Sequence, residues 1–335
     1  MSPRLGPGFT GVVSDLDRGS VVGSRSAVTS ALRVQEVARL SDSQAGSRDL
    51  ALVQALGQQF RYLRRDQVDL FYPGLSPITI GKRLGLLWRH QWVDRIPAPG
   101  THEKHPAQIY RLGLLGKDWL NFGGTPSRWA VRPGDWAGNV DPALAHWLGI
   151  ADIWGGLWRG TLHPAWGGAL TVSRFQTELD YKFGKMEART SWKPDGVLEL
   201  SWGQTLAETF VAYFEYDRDT EPLSRWVTNK IENARLFGYS TQWPWRGIPV
   251  AYWVFVPTLQ RLRAIKEILH QPPFGNTGDW VLIPWDSWVT QGLAGQRDWV
   301  VKRDDRASAN RWEEFRRWTI NRSREYGLRK PLQKP

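Results

Sequence analysis

The sequence predicts an α/β chain in two parts: a small helical domain closed by a strand hairpin, then a mixed sheet flanked by helices. Three observations lead there. Residues 48–122 read as three helices, a strand, a polar loop and a strand that runs into a helix. Residues 141–286 read as a helix, three strands, a helix, a strand, a helix and a last strand. Between them, 123–140 contains GGTPSRWAVRPGDWAGN, a linker by composition.

The elements follow in order. Residues 1–46 are rich in Ser, Gly and Arg and read as a flexible basic arm, with one helix at 27–40. Leu50, Leu52, Val53, Leu56 and Phe60 then recur at helical spacing. Arg65 and Asp66 open a short helix that Pro73 and Gly74 end. Ser76 is placed to cap a third helix with Pro77 at its first position. That helix runs through ITIGKRLGLLWRHQ, with Ile80, Leu84, Leu87 and Trp88 inward and Lys82, Arg83 and Arg89 off that face. WVDRIPAPG is a strand, GTHEKHP a polar loop, and QIYRLGLLG a strand turning into a helix.

This is the order of a winged helix, whose third helix would enter the DNA major groove with the loop as the wing. Thr79, Lys82, Arg83 and Arg89 would then face phosphates or base edges. His102, Lys104 and His105 would reach backbone phosphate or the minor groove from the wing. Winged helices also dock proteins, which stands as the alternative.

In the second part, DPALAHWLGIADIWGGLWRG is an apolar helix capped by Asp141. ALTVSRFQTELDYKF, DGVLELSW and TFVAYFEYD are strands, the second starting at Asp195. Glu221 and Pro222 open a helix that ends near Gly238. GIPVAYWVFVP is a strand, TLQRLRAIKEILH an amphipathic helix, and DWVLIPW a last strand. Residues 287–335 read as a basic helix or tail, with 11 basic against 5 acidic residues from Lys302 onward.

Composition narrows the chemistry. The chain has 335 residues and 44 Lys+Arg against 33 Asp+Glu, a net charge of +11. That surplus points to a polyanionic partner, with double-stranded DNA first. The 21 tryptophans sit mostly beside aliphatic residues, which suits core packing better than base stacking. There is no cysteine, so disulfides, a thiol nucleophile, Cys-ligated zinc and iron–sulfur clusters are excluded. No P-loop, dinucleotide fingerprint or HExxH motif occurs, and the histidines show no metal-ligand spacing. No apolar run is long enough for a membrane span or a signal peptide, so a cytoplasmic protein is expected.

Polar residues gather at the predicted strand ends. Glu215 and Asp217 are two apart and would share one side of a strand, and Asp195 starts the strand that precedes theirs. Three carboxylates would converge, enough to hold Mg²⁺ or Mn²⁺ and activate water for phosphodiester hydrolysis. The alternative is structural, with Asp195 capping a turn and Arg218 and Lys230 neutralising Glu215 and Asp217.

The order αβββαβ, with Pro194 and Asp195 before one strand and Glu215 to Asp217 in the next, resembles the PD-(D/E)XK nuclease core. That family carries Lys two residues after its acid, where this chain has Asp217; Lys230 in the following helix is the substitute the resemblance suggests. The longer run from IYRLGLLGKDWL through AHWLGIADIWGGL with His146, KPDGVLEL and VAYFEYDRDTEPLSRWVTNKIENARLFGY is similar to the replication-relaxation family of plasmids and other mobile elements. The likeness covers about residues 50–260 and rests on Pro194, Asp195, Glu215, Asp217, Arg218, Thr220, Glu221 and Lys230. It implies a DNA-binding role in plasmid replication or DNA relaxation for transfer. Three expectations result: a DNA-binding protein with a degenerate nuclease-like domain, a metal-dependent endonuclease using Asp195, Glu215, Asp217 and Lys230, or an adaptor that docks a relaxase, helicase or transposition partner.

Overall fold

The computed structural model describes residues 44–97, 108–129, 143–161, 171–177, 181–182, 191–201, 209–232, 250–271, 279–292, 299–301 and 308–309. They divide into two compact units, one up to Ala151 and one from Asp152. The expected helix at 27–40, the Asp141 cap and residues 130–140 of the expected linker lie outside the described residues.

The first unit runs α1 (Gln44–Gln58), β1 (Leu63–Arg64), α2 (Arg65–Asp69), α3 (Pro77–Arg89), β2 (Val93–Pro97), β3 (Gln108–Leu112) and α4 (Leu114–Phe122). The three strands form an antiparallel sheet in the order β1-β3-β2. β1 is two residues long, too short to leave a period in the sequence. The expected stripes are the buried ones: Leu52, Val53 and Leu56 from α1, Ile80, Leu84 and Leu87 from α3. The Ser76 hydroxyl accepts from the Thr79 amide with Pro77 in the first turn, a cap worth about 1 kcal/mol. Trp88 corrects the reading of that face. It stays 38% exposed, with the Arg95 guanidinium 3.6 Å over its ring.

Residues 123–129 are not a free linker. Gln58 Nε2 donates to the carbonyls of Thr125 (3.1 Å) and Pro126 (2.6 Å), and the Arg128 amide donates to Gly57. Trp129 is buried edge-on against Trp147 in α5 (Leu144–Thr161). The segment is tied down because its carbonyls satisfy polar groups at the end of α1.

The second unit is built on β4 (Thr171–Thr177), β7 (Gly196–Ser201), β8 (Thr209–Tyr216), β9 (Val250–Val256), β10 (Asp279–Pro284), β11 (Trp299–Val301) and β12 (Ser308–Ala309). β5 (Tyr181–Lys182) and β6 (Ser191–Trp192) pair separately. The large sheet has the order β12-β11-β10-β9-β8-β7-β4. β4, β7 and β8 are antiparallel neighbours, β8, β9 and β10 are parallel, and β11 and β12 return antiparallel. The chain is thus mixed α/β, as expected. The sheet continues past 286, because β11 and β12 come from the stretch expected to be a tail. Strands of two and three residues carry no legible alternation.

Among the described residues, α6 (Leu223–Trp226) with its π-helical continuation Val227–Glu232, α7 (Leu259–His270), α8 (Trp285–Gln291) and the part of α5 from Asp152 onward accompany this sheet. Alternation along β8 and β9 sorts the two faces. Val211, Tyr213, Tyr252, Val254 and Val256 pack with Trp226, Val227 and Ile231 and with Leu262, Ile265 and Leu269. On the other face Phe214 stacks on Phe175, and Trp253 and Phe255 meet Trp288 of α8 edge-on. Trp92, Trp129, Trp147, Trp226, Trp253, Trp280 and Trp288 are all buried, so indole supplies much of both cores. Among the described residues no helix is long and apolar enough to cross a membrane.

Candidate functional site

Glu215 has the same parity in β8 as Val211 and Tyr213, so it points to the face covered by the helix after Pro222. The helix winds as a π-turn over Val227–Glu232, which sets Ile231 into the core and Lys230 beside Glu215. The Lys230 ammonium donates to Glu215 Oε2 (2.7 Å) and to the Lys193 carbonyl (3.1 Å), and lies 4.0 Å from Asp195 Oδ1. Asp195 precedes β7, and its Oδ2 accepts from the Tyr216 amide (2.7 Å) across the β7–β8 pair. Gly196 makes that junction possible: a β-carbon there would lie 2.3 Å from the Phe214 ring. Asp195, Glu215 and Lys230 therefore meet at one end of the β7–β8 pair, inside the sheet.

The electrostatics are those of a buried, half-satisfied group. Burial pushes the Glu215 carboxyl up to about 8, with Asp195 adding to the rise and Lys230 opposing it. Burial works against the Lys230 charge, but Glu215 and Asp195 more than offset it, and its pKa is raised. Glu215 Oε1 is buried and finds no hydrogen-bond partner among the described residues. Such an oxygen is costly unless something completes it.

Asp217 is a correction. β8 ends at Tyr216, and the Asp217 amide donates to the Phe255 carbonyl. Its carboxylate, 2% exposed, pairs with Arg261 Nε of α7 (2.8 Å) and accepts from the Asp219 amide (2.9 Å). Arg261 also pairs with Asp219 (3.2 Å) and donates to the Glu221 carbonyl (3.0 Å). Asp219 takes φ +57°, the left-handed turn an Asx hydrogen bond supports. The expected convergence of Asp195, Glu215 and Asp217 does not form, because two different cations draw the neighbouring acids apart. Among the described residues no group of three or more His, Cys, Asp or Glu side chains is set to hold a metal. Asp195 and Glu215 remain as a pair of carboxylates, which suffices for an ion that keeps waters or substrate oxygens. The incomplete Glu215 Oε1 fits that role.

In the first unit, Thr79, Lys82 and Arg89 lie on the exposed side of α3. Arg83 does not. It pairs with Asp49 of α1 through Nε (3.1 Å) and a second short contact, and Asp49 also accepts from the Tyr72 hydroxyl (2.7 Å). The hydrogen bond to Asp49 raises the arginine's pKa, against the pull of burial. Burial and Asp49 raise that of Tyr72. His102, Lys104 and His105 lie outside the described residues.

Sequence reading missed Arg261, Asp49 and Tyr72. For two of them a signal was present. Arg261 stands in step with Ile265 and Leu269, and Asp49 with Leu52, Val53 and Leu56. A charge on an apolar stripe requires a buried partner.

Compared with known proteins, the chain matches no family model, no curated protein and no solved structure.

Proposed function

We propose that this is a cytoplasmic double-stranded DNA-binding protein of a plasmid or other mobile element, acting in replication or in DNA relaxation and mobilisation. The observation that carries it is the exposed side of α3. It presents Lys82 and Arg89, and the helix contains no carboxylate. The succession helix, strand, helix, helix, strand, strand, with β1 completing the β2–β3 hairpin as a third strand, supports a winged helix. The likeness to the replication-relaxation family gives the cellular setting. The test is a gel shift of the full chain on mixed-sequence duplex at several salt concentrations. Affinity that falls steeply with salt is expected, because phosphate contacts release counterions. No retention of duplex at low salt refutes the proposal.

A metal-dependent endonuclease is the second reading, favoured by the meeting of Asp195, Glu215 and Lys230. The antiparallel β4, β7 and β8 with parallel β9 support a PD-(D/E)XK-like core in which Lys230 replaces the strand lysine. Asp195 and Glu215 would hold Mg²⁺ or Mn²⁺, which supplies an activated water and neutralises phosphate charge. Lys230 keeps a proton next to both carboxylates and, in this reading, would face the scissile phosphate. Cleavage of supercoiled plasmid by wild type, lost in both Asp195→Ala and Glu215→Gln, is expected. Binding without cleavage leaves the cluster as a scaffold or as a dock for a relaxase, helicase or transposition protein.

A further inference from the structure

At 100° per residue, Ile78, Lys82, Gly85 and Arg89 form one stripe along α3, directly opposite Ile80, Leu84 and Leu87. Burial on the core side is nearly complete, while Ile78 on the stripe is 73% exposed. An isoleucine that open to water at the start of a helix does nothing for the fold. Gly85 is equally unexplained by packing: a β-carbon there would meet nothing within 4 Å. Glycine in mid-helix is the least favourable ordinary residue, so its place needs a reason outside the fold. Lys82 is exposed, and Arg89 turns its Nε back to the Gly85 carbonyl (3.2 Å), leaving its other nitrogens outward. Asp66 and Asp69 of α2 are held by Arg64 and Arg65, and Asp49 of α1 by Arg83. The stripe is therefore apolar at its first turn, bare at its third and cationic along its length.

We infer that this stripe is a base-reading surface for the major groove of B-DNA, with Ile78 against a thymine methyl, Gly85 as the point of closest backbone approach, and Lys82 and Arg89 on phosphate or guanine. The inference rests on the proposed DNA binding and adds which residues read sequence. A helix fills the major groove, whose floor offers the thymine 5-methyl as its one apolar group. Cations on the same stripe match the phosphate rims in charge. A glycine facing the groove floor lets the helix settle more deeply than any side chain would allow. Arg83 is excluded from this surface by its pairing with Asp49.

The test starts from the full chain and a pool of random duplexes about 40 base pairs long, several helical turns. The enriched duplex is then made with uracil in place of thymine at each position in turn. At one position or more, loss of the methyl weakens wild type about four-fold and leaves Ile78→Ala unchanged. Lys82→Ala and Arg89→Ala each weaken binding about ten-fold and flatten the salt dependence by about one charge. Gly85→Leu, which the free protein has room for, loses at least about ten-fold in affinity while amide exchange in α3 is no faster than in wild type. If wild type enriches a duplex and Ile78→Ala and Gly85→Leu bind it as tightly, the base-reading surface is refuted while DNA binding stands. If only Lys82 and Arg89 matter and uracil has no effect, the stripe holds phosphate alone and the inference also fails. If no duplex is enriched, the DNA-binding proposal falls first and this falls with it, leaving an acidic protein surface as the occupant.

Discussion

Arg83→Ala separates a residue that holds the fold from one that touches DNA. The arginine side chain is 22% exposed and its Asp49 partner 12%, with the Tyr72 hydroxyl on the same carboxylate. Truncation leaves Asp49 charged, inside the unit, with one neutral donor where it had a guanidinium. Breaking a fully buried pair costs about 3–5 kcal/mol. Residual exposure lets water reach the carboxylate, which brings the figure to about 2 kcal/mol. A chain of two units need not unfold in one step, so a single melting temperature is the wrong readout. Hydrogen exchange in the full chain is better, read on peptides from α1 and α3, the helices the pair joins. About 2 kcal/mol is about thirty-fold faster exchange there, with no change in the large sheet. Asp49→Asn, which keeps an acceptor for Tyr72, loses less. DNA affinity of Arg83→Ala, measured while the protein is folded, stays within about two-fold of wild type, because a paired and inward-facing cation makes no phosphate contact. Unchanged exchange together with a ten-fold loss of DNA binding refutes this account and returns Arg83 to the outer face.

Four further outcomes follow from the second unit. Glu215 holds its proton up to about 8, above an ordinary carboxyl, so the folded state binds that proton more tightly than the unfolded chain. Its contribution to stability is full below the ordinary carboxylate range and is lost as pH rises through about 8. If Asp195 and Glu215 hold Mn²⁺ as the endonuclease reading proposes, its binding has the opposite sign, strengthening about ten-fold per pH unit up to about 8 and levelling above it; calorimetric titration that is flat in pH, or unchanged in Glu215→Gln, refutes that assignment. Arg261→Ala strands Asp217, 2% exposed, and costs about 3–5 kcal/mol, seen as rapid exchange in α7 and β8; a variant as stable as wild type removes the structural role given to the pair. Gly156 in α5 accommodates the indole of Trp288, and a β-carbon there would fall 2.4 Å from its Nε1, which donates to the Asp152 carbonyl. Gly156→Ala therefore overpacks this contact by about 1–3 kcal/mol, measurable as a loss of near-ultraviolet tryptophan ellipticity at lower denaturant.

Periodic signals were the legible part of this chain. The apolar stripes of α1, α3 and α7, the apolar runs of β8 and β9, and the Ser76 cap are local, so the sequence states them directly. The order of these elements was enough to give a mixed α/β class with a hairpin-rich start and a crossover helix; the strand order, with β8 and β9 parallel neighbours, came from the structure. Elements of two or three residues, β1, β11 and β12, carry no period and became visible only through their partners. The packing of residues 123–129 onto α1 was likewise invisible, since Gly, Pro and Ser specify a turn but not what the turn rests on.

Charge showed the same division. The sequence by itself determined which acids and bases exist and which of them fall on apolar stripes. Only the tertiary structure decided who pairs with whom. Asp217 and Glu215, two residues apart, end on Arg261 and Lys230, from different helices. Arg83 turns inward because Asp49 stands on the facing stripe of α1, while Lys82 beside it has no such partner within α3 and stays in water. A buried charge requires a counter-charge within hydrogen-bond reach, and that reach is set by elements far apart in the chain. The sequence fixes the requirement locally, and packing at long range satisfies it.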